Sequence, residues 1–167
     1  MPKRLWMKMA LLRQHPKGAW LFRPISEGDV DALGALMLEA YRGTIDYEGE
    51  TLQEAIEEVH GVLAGTYGPL FEDCSYVIED EGKILSASMI VMSDKVDAPL
   101  LVFSMTHPEH KRKGMAEYLL KASINRLIDA GHQDLYLVVT DGNAGAIRLY
   151  EKLGFRRVEA EDGLAEG

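Results

Sequence analysis

One stretch of the chain, residues 99–131, sets the narrowest limits on the fold. An apolar run from Pro99 to Met105 predicts a buried strand. A basic turn with one glycine follows, Lys-Arg-Lys-Gly-Met-Ala at 111–116, and residues 114–130 have a helical pattern that Gly131 ends. A strand, a turn and a helix in this order leave free backbone N–H groups and a positive helix end at the turn. We therefore predict a phosphate site there, where Gly114 lets the backbone approach the ligand.

The turn is a positive patch in an acidic chain. The formal net charge is −9, yet the three cations of the turn, together with His107 and His110, concentrate positive charge here. An acidic body is a poor surface for nucleic acid and favours cationic partners such as amines. Solubility alone explains the acidity equally well.

Other compositional features exclude several classes. No apolar run approaches the roughly 20 residues of a membrane helix, so no membrane partner is expected. Cys74 is the single cysteine, which excludes a disulfide framework and fits a reducing, cytoplasmic setting. The histidines are scattered, and no metal site is predicted.

The order of the predicted elements indicates a mixed α/β fold. We expect one domain over residues 1–167, with its core at about 19–159 and an N-terminal extension at 1–18 as an open alternative. Strands are predicted at 19–23, 74–78, 83–92, 99–105, 135–140 and 155–158, and helices begin at Ser26, Thr51, 114 and 143. This order predicts an antiparallel meander followed by right-handed crossovers. Residues 5–12 predict an added strand or a short helix, and residues 4–12 or a partner subunit is expected to cover the exposed sheet edge.

A second segment, residues 143–155, carries further candidates. Asn143 and Tyr150 stand seven residues apart, about two helical turns, so both can line one groove. Asn143 is equally well explained as a helix cap, and Tyr150 as a half-buried core tyrosine.

Together the two segments closely resemble the GNAT superfamily of N-acetyltransferases. The family's phosphate turn has six positions: Arg or Gln at the first, Gly at the fourth, and Gly or Ala at the sixth. Residues 111–116 depart from this pattern only at the first position, Lys111. Residues 143–155 match every fixed position of the family segment that runs from Asn143 to Phe155. The resemblance spans about residues 20–158. It implies an α/β, GNAT-like fold: a mixed, mostly antiparallel central sheet with splayed central strands and flanking helices.

The resemblance also implies a cofactor site for acetyl-CoA, with no metal. Acetyl-CoA would lie in a V-shaped opening between the strands that end near Thr106 and Thr140. The residues expected to bind it are Ser104, Met105, Thr106, Lys111, Arg112, Lys113, Gly114, Met115, Ala116, Asn143 and Tyr150. Tyr150 would protonate the departing thiolate as general acid, and the backbone N–H of Met105 would stabilise the oxyanion. Lys111 keeps the charge but loses the planar geometry of arginine.

The acceptor and the general base remain open. The resemblance implies an amine acceptor, expected to be a small molecule; a protein N-terminus is the alternative within the family. Ribosomal-protein-alanine acetyltransferases carry an acidic residue where this chain has Val138, which counts against that subclass. A neutral amine fraction or a water relay would make a dedicated base unnecessary. If there is a base, the candidates are Asp46, Tyr47, Glu48 and Ser104; the first three lie in the loop between the two helices that shape the acceptor pocket in the family. A non-catalytic acyl-CoA-binding module is the rival reading, and a homodimer is an open alternative.

Overall fold

The computed structural model describes residues 3–159. Seven strands form one mixed sheet in the order β2-β3-β4-β5-β6-β1-β7, and four α-helices flank it. The strands are β1 (Arg4–Ala10), β2 (Phe22–Pro24), β3 (Tyr76–Asp80), β4 (Lys83–Ser93), β5 (Ala98–Thr106), β6 (Asp134–Thr140) and β7 (Arg156–Arg157). The helices are α1 (Val30–Tyr41), α2 (Leu52–Ala64), α3 (Met115–Asp129) and α4 (Ala144–Leu153). This architecture confirms the predicted fold class.

Local sequence signals define most of the element ends. The Thr51 hydroxyl accepts from the Glu54 N–H at 3.1 Å, and the Glu54 carboxylate accepts from the Thr51 N–H at 2.9 Å. This reciprocal pair begins α2, and such a cap stabilises a helix by about 1 kcal/mol. The hairpin between β3 and β4 is tighter than the predicted strands, 74–78 and 83–92, imply. Glu81 and Gly82 alone form its turn, with φ of 51° and 79°.

The strand predictions at 19–23 and 74–78 are displaced along the chain. Strand β2 begins only at Phe22, and Cys74 lies in a short 3₁₀ turn before β3. Both strands follow loops. Hydrophobicity alone does not predict at which residue the first hydrogen bond to the neighbouring strand forms.

The N-terminal segment is part of the sheet. Strand β1 pairs antiparallel with β6 over seven residues, from Arg4 opposite Thr140 to Ala10 opposite Asp134. On its other side β1 pairs with the short strand β7. Residues 4–10 therefore cover the edge of β6, as predicted for the intrachain alternative, and they form a strand rather than a helix.

The two central parallel strands diverge. Strands β5 and β6 pair only at Leu100 opposite Tyr136 and Leu101 opposite Leu137. Beyond these pairs β5 continues to Thr106 and β6 to Thr140 without further pairing between them. The splayed opening expected between these strand ends is present.

Hydrophobic clusters cover both faces of the sheet. Helices α1 and α2 pack on one face around Leu33 and Val59, and α3 and α4 pack on the other around Ile124 and Phe155. These four side chains are fully buried. None of the helices within residues 3–159 combines the length and the apolar character required to cross a membrane.

Candidate functional site

A cavity of about 730 Å³ lies at the opening between β5 and β6. Its walls come from the end of α1 and the following loop, the end of β5, the basic turn at 111–116, and the first turns of α3 and α4. The cavity is thus formed where the sheet splits and two helices begin, so backbone polar groups face it from several directions.

The basic turn presents the N-terminus of α3 to this cavity. Gly114 is the N-cap residue, with φ of 85°, and no side chain caps the helix there. Arg112 also has a positive φ, 66°. The N–H groups of the first helical turn are consequently left for a ligand, and the helix dipole favours an anion. Lys111 and Arg112 line the same end of the cavity.

One carboxylate also lines this end of the cavity, and its charge is paired. The Glu117 carboxylate accepts from Lys152 at 2.9 Å and lies 3.1 Å from the Lys121 ammonium. The hydrogen bond from Lys152 is the main reason that the pKa of Glu117 is lowered. The pairing joins α3 to α4 and reduces the repulsion that Glu117 would exert on a phosphate.

Alternation along β5 determines which backbone groups face the opening. The His107 N–H donates to the Leu85 carbonyl at 2.8 Å, and Met105 lies opposite Ala87 two residues earlier in the same antiparallel ladder. Because hydrogen-bonded pairs alternate in such a ladder, the Met105 N–H points toward β4. The N–H groups of Ser104 and Thr106 therefore point toward β6. The expectation that the Met105 N–H faces the reacting carbonyl does not agree with this geometry.

Asp46 connects the loop after α1 to the far wall of the opening. Its carboxylate accepts from the Thr140 hydroxyl at 2.6 Å and from the Asn143 amide nitrogen at 3.3 Å. The Asn143 side-chain oxygen accepts from the Ala146 N–H at 3.3 Å and caps α4. Asn143 is thus a helix cap that also lines the cavity, and its role in binding a cofactor stays a prediction.

Tyr150 lies on the buried wall, with 9 % of its surface exposed. Burial raises its pKa to about 12, a hydrogen bond with Ser104 acts in the opposite direction, and the Asp46 charge raises it further. The phenol therefore keeps its proton at neutral pH and can act only as an acid there. Burial likewise raises the pKa of Tyr41, which lines the cavity and is influenced by Tyr150 and Asp46.

The cavity gathers all but one of the predicted cofactor residues. Lys113 does not line it; its exposed ammonium lies 3.4 Å from the His110 ring nitrogen. His110 does line the cavity, whereas His107 is buried beside it with Nε2 3.8 Å from the Glu39 carboxylate. Of these two histidines, only His110 lines the cavity near the basic turn.

Two of the four candidate bases line the cavity and two do not. Asp46 and Ser104 line the cavity, while Tyr47 and Glu48 do not. Tyr41 also lines it and was not selected from the sequence, because its position in the helical pattern of α1 indicated a core residue.

One group of possible metal ligands occurs within residues 3–159, namely His107, Glu109 and His110, with ligand atoms within 4.8 Å of one another. The His107 Nδ1 already accepts from the Glu109 N–H at 3.2 Å. This bond takes up the ring nitrogen and fixes the tautomer in which Nε2 carries the proton, which is unfavourable for metal ligation by His107.

Comparison with known proteins agrees with this arrangement. The model of the acetyltransferase (GNAT) family matches residues 37–155. An N-alpha-acetyltransferase from Saccharolobus solfataricus is 43 % identical over 56 residues, 33 % of this chain and 34 % of the relative. The [ribosomal protein bS18]-alanine N-acetyltransferase of Escherichia coli K12 is 32 % identical over 81 residues, 48 % of this chain and 53 % of that protein. The matched segments thus span about a third and about half of these relatives.

A solved structure shows the same fold over most of the chain. The PaiA N-acetyltransferase from Thermoplasma acidophilum, in complex with coenzyme A, superposes with a TM-score of 0.68 and 17 % identity. The superposition covers 83 % of this chain and 91 % of that one.

Proposed function

This chain belongs to the GNAT acetyltransferase family, and from that premise we propose that it transfers an acetyl group from acetyl-CoA to an amine. Acetyl-CoA and the amine would bind together, and the reaction would proceed by direct attack. The uncapped N-terminus of α3, with Lys111 and Arg112 beside it, suits the pyrophosphate of coenzyme A. The complex of the Thermoplasma relative with coenzyme A supports the choice of cofactor.

The observation that carries this proposal is the charge distribution of the cavity. Cationic side chains and free N–H groups lie at the basic turn, and the Asp46 carboxylate lies at the loop after α1. An anionic cofactor and a cationic amine would be attracted to different ends of one cavity. Tyr150 faces the same cavity and is influenced by Asp46. This separation is what a transfer between an anionic donor and an amine requires.

The proposed chemistry divides the proton transfers between two residues. The neutral amine nitrogen attacks the thioester carbonyl carbon, a C–N bond forms and the C–S bond breaks. The N–H of Ser104 or Thr106, rather than that of Met105, would stabilise the developing oxyanion. Tyr150 would donate its phenolic proton to the departing sulfur, and its raised pKa keeps that proton in place until charge develops. Asp46, or a water beside it, would accept the proton that the amine loses.

The acceptor class has two candidates. A small-molecule amine is the first, because Val138 replaces the acidic residue expected of ribosomal-protein-alanine acetyltransferases. A protein N-terminus is the second, and the names of the two partly matching relatives favour it. Both candidates present an amine to the same Asp46 end of the cavity.

The deciding experiment measures acetyl transfer with the full chain. Acetyl-CoA turnover would be followed across small amines, aminoglycosides and peptides with free or blocked N-termini. We expect turnover with free amines, and a Tyr150→Phe variant that loses about 10²-fold in kcat while it still binds coenzyme A. Tyr67→Phe is the matched control, because the Tyr67 hydroxyl bonds to Glu58 and does not line the cavity. Coenzyme A binding without turnover on any amine would contradict the enzyme and support a binding module.

We further propose that residues 1–167 act as a single domain in the cytoplasm. The continuous seven-stranded sheet supports the first statement. A homodimer stays a prediction, which sedimentation of the full chain would test.

A further inference from the structure

The connection between β1 and β2 follows α3 along its whole length. Residues 11–21, termed the α3 strap here, join β1 beside β6 to β2 at the opposite edge of the sheet. The strap begins where the Leu11 N–H donates to the Gln133 carbonyl at 2.8 Å. Its contacts with α3 then follow one stripe of the helix, at Asp129, Asn125, Lys121 and Tyr118. The strap thus runs from the C-terminal end of α3 to its N-terminal end.

The middle of the strap is held by a reciprocal pair of hydrogen bonds. The Asn125 side-chain oxygen accepts from the Gln14 N–H at 2.8 Å, and its amide nitrogen donates to the Gln14 carbonyl at 3.0 Å. Arg13 pairs with Asp129 at 2.7 Å, although both side chains are more than half exposed. Because exposed ion pairs contribute little, Asn125 is the main polar attachment of the strap to the helix.

The last part of the strap ends against the basic turn. The half-buried Trp20 ring packs edge-to-face on Tyr118 with ring centres 5.7 Å apart. A methyl group placed on Gly114 would lie 3.5 Å from the Trp20 ring, which is ordinary van der Waals contact. Gly18 makes this position possible, because a Cβ there would come within 2.5 Å of the indole. Trp20 does not line the cavity, so it lies against the start of α3 from outside the site.

Trp20 packs against the cluster that contains Met115, at the start of the helix that follows the turn. This turn is the one whose backbone faces the cavity. Arg112 and Gly114 both have positive φ, which for Arg112 is an unfavourable conformation that neighbouring structure must hold. We propose that Trp20 is a positioning residue for this turn, and that the α3 strap thereby couples the N-terminal strand to coenzyme A affinity. The inference rests on the proposed function, because it takes the turn as the pyrophosphate site. Preorganised N–H groups bind an anion without the cost of ordering the loop.

The test compares three variants by binding and by kinetics. Trp20→Ala is expected to raise the Kd for coenzyme A and the KM for acetyl-CoA about tenfold, with kcat at saturation within about twofold. Asn125→Ala, about 16 Å along α3 from Gly114, is expected to raise both about threefold without touching the site. Arg126→Ala is the matched control on the same helix, because the Arg126 side chain pairs with Asp73, which is not part of the strap. It is expected to leave both values unchanged.

Fluorescence adds a readout that a purely structural role would not move. The chain has two tryptophans, Trp6 and Trp20. Coenzyme A is expected to change the emission of the wild type, and Trp20→Phe is expected to remove that change while the chain stays folded. If the wild type binds coenzyme A and the Trp20→Ala, Trp20→Phe and Asn125→Ala variants all bind it equally well, the coupling is refuted. If Trp20→Ala does not fold, the coenzyme A affinities of Trp20→Phe and Asn125→Ala test the coupling. Failure of the wild type itself to bind coenzyme A would overturn the proposed function instead.

Discussion

The Asp46 carboxylate accepts a hydrogen bond of 2.6 Å from the Thr140 hydroxyl, across the opening between the central strands. The two residues stand 94 positions apart in the chain. Their contact attaches the loop after α1 to the end of β6 and brings a carboxylate beside Asn143 and near Tyr150. Substituting each of these two residues in turn distinguishes the effect of the Asp46 charge on activity from the effect of the loop position.

Replacing Asp46→Asn removes the charge, and Thr140→Val removes the hydrogen bond while the charge stays. We expect Asp46→Asn to lower kcat/KM for an amine about 10²-fold, because the proposed proton acceptor is lost. Thr140→Val is expected to cost less than about fivefold, because one hydrogen bond contributes about 1 kcal/mol. Initial rates at fixed acetyl-CoA measure both. Equal losses in the two variants would show that Asp46 acts only by holding the loop.

Stability should fall at alkaline pH in a way that depends on Tyr150. Its pKa is about 12 in the folded protein and 10.0 for a free tyrosine, so the unfolded chain loses this proton first. Below pH 10 both states are protonated and the group has no effect; between pH 10 and 12 ionisation favours the unfolded state. Urea unfolding at pH 9, 10.5 and 11.5 should therefore show a smaller decline for Tyr150→Phe than for the wild type. Equal declines in the unfolding free energy of the two proteins would mean that Tyr150 ionises as readily in the folded chain as in the unfolded chain.

Substituting Gly114→Ala should weaken coenzyme A binding by altering the turn. Gly114 has φ of 85°, where a side chain costs about 1 kcal/mol. Gly82→Ala is the control, because Gly82 has φ of 79° with open space around it and lies in the β3–β4 hairpin. Both variants should lose about 1 kcal/mol of unfolding free energy by urea titration. Calorimetric titration should show weaker coenzyme A binding for Gly114→Ala alone; equal affinities would place the ligand elsewhere.

The lysines of the basic turn should contribute unequally. Lys111 lines the cavity, whereas Lys113 does not and has its ammonium beside the His110 ring. Lys111→Ala is expected to raise the Kd for coenzyme A about fivefold, since a phosphate contact is worth about 1 kcal/mol, and Lys113→Ala less than about twofold. Titrations at low and high salt measure both, and the Lys111 effect should shrink as salt screens the charge. A larger effect at Lys113 would contradict the assignment.

The sequence alone determined those features that depend on neighbours in the chain. The basic turn, the α3 start at Gly114 and the α4 cap at Asn143 are local structures, so residue type and spacing are sufficient to predict them. The order of helices and strands, and with it the fold class, follows from hydrophobic periodicity in the same way.

Only the tertiary structure decided the features that depend on distant partners. Strand β1 pairs with β6 more than 120 residues later, and Asp46 reaches Thr140 and Asn143 across 94 and 97 positions. The direction of the Met105 N–H is set by its register against β4, where a shift of one residue would reverse it. Residue types and local spacing contain no information on which distant segment is the partner. The local structure of the turn could therefore be predicted from the sequence, while the positions of the strand N–H groups and of the Asp46 carboxylate depended on the folded sheet.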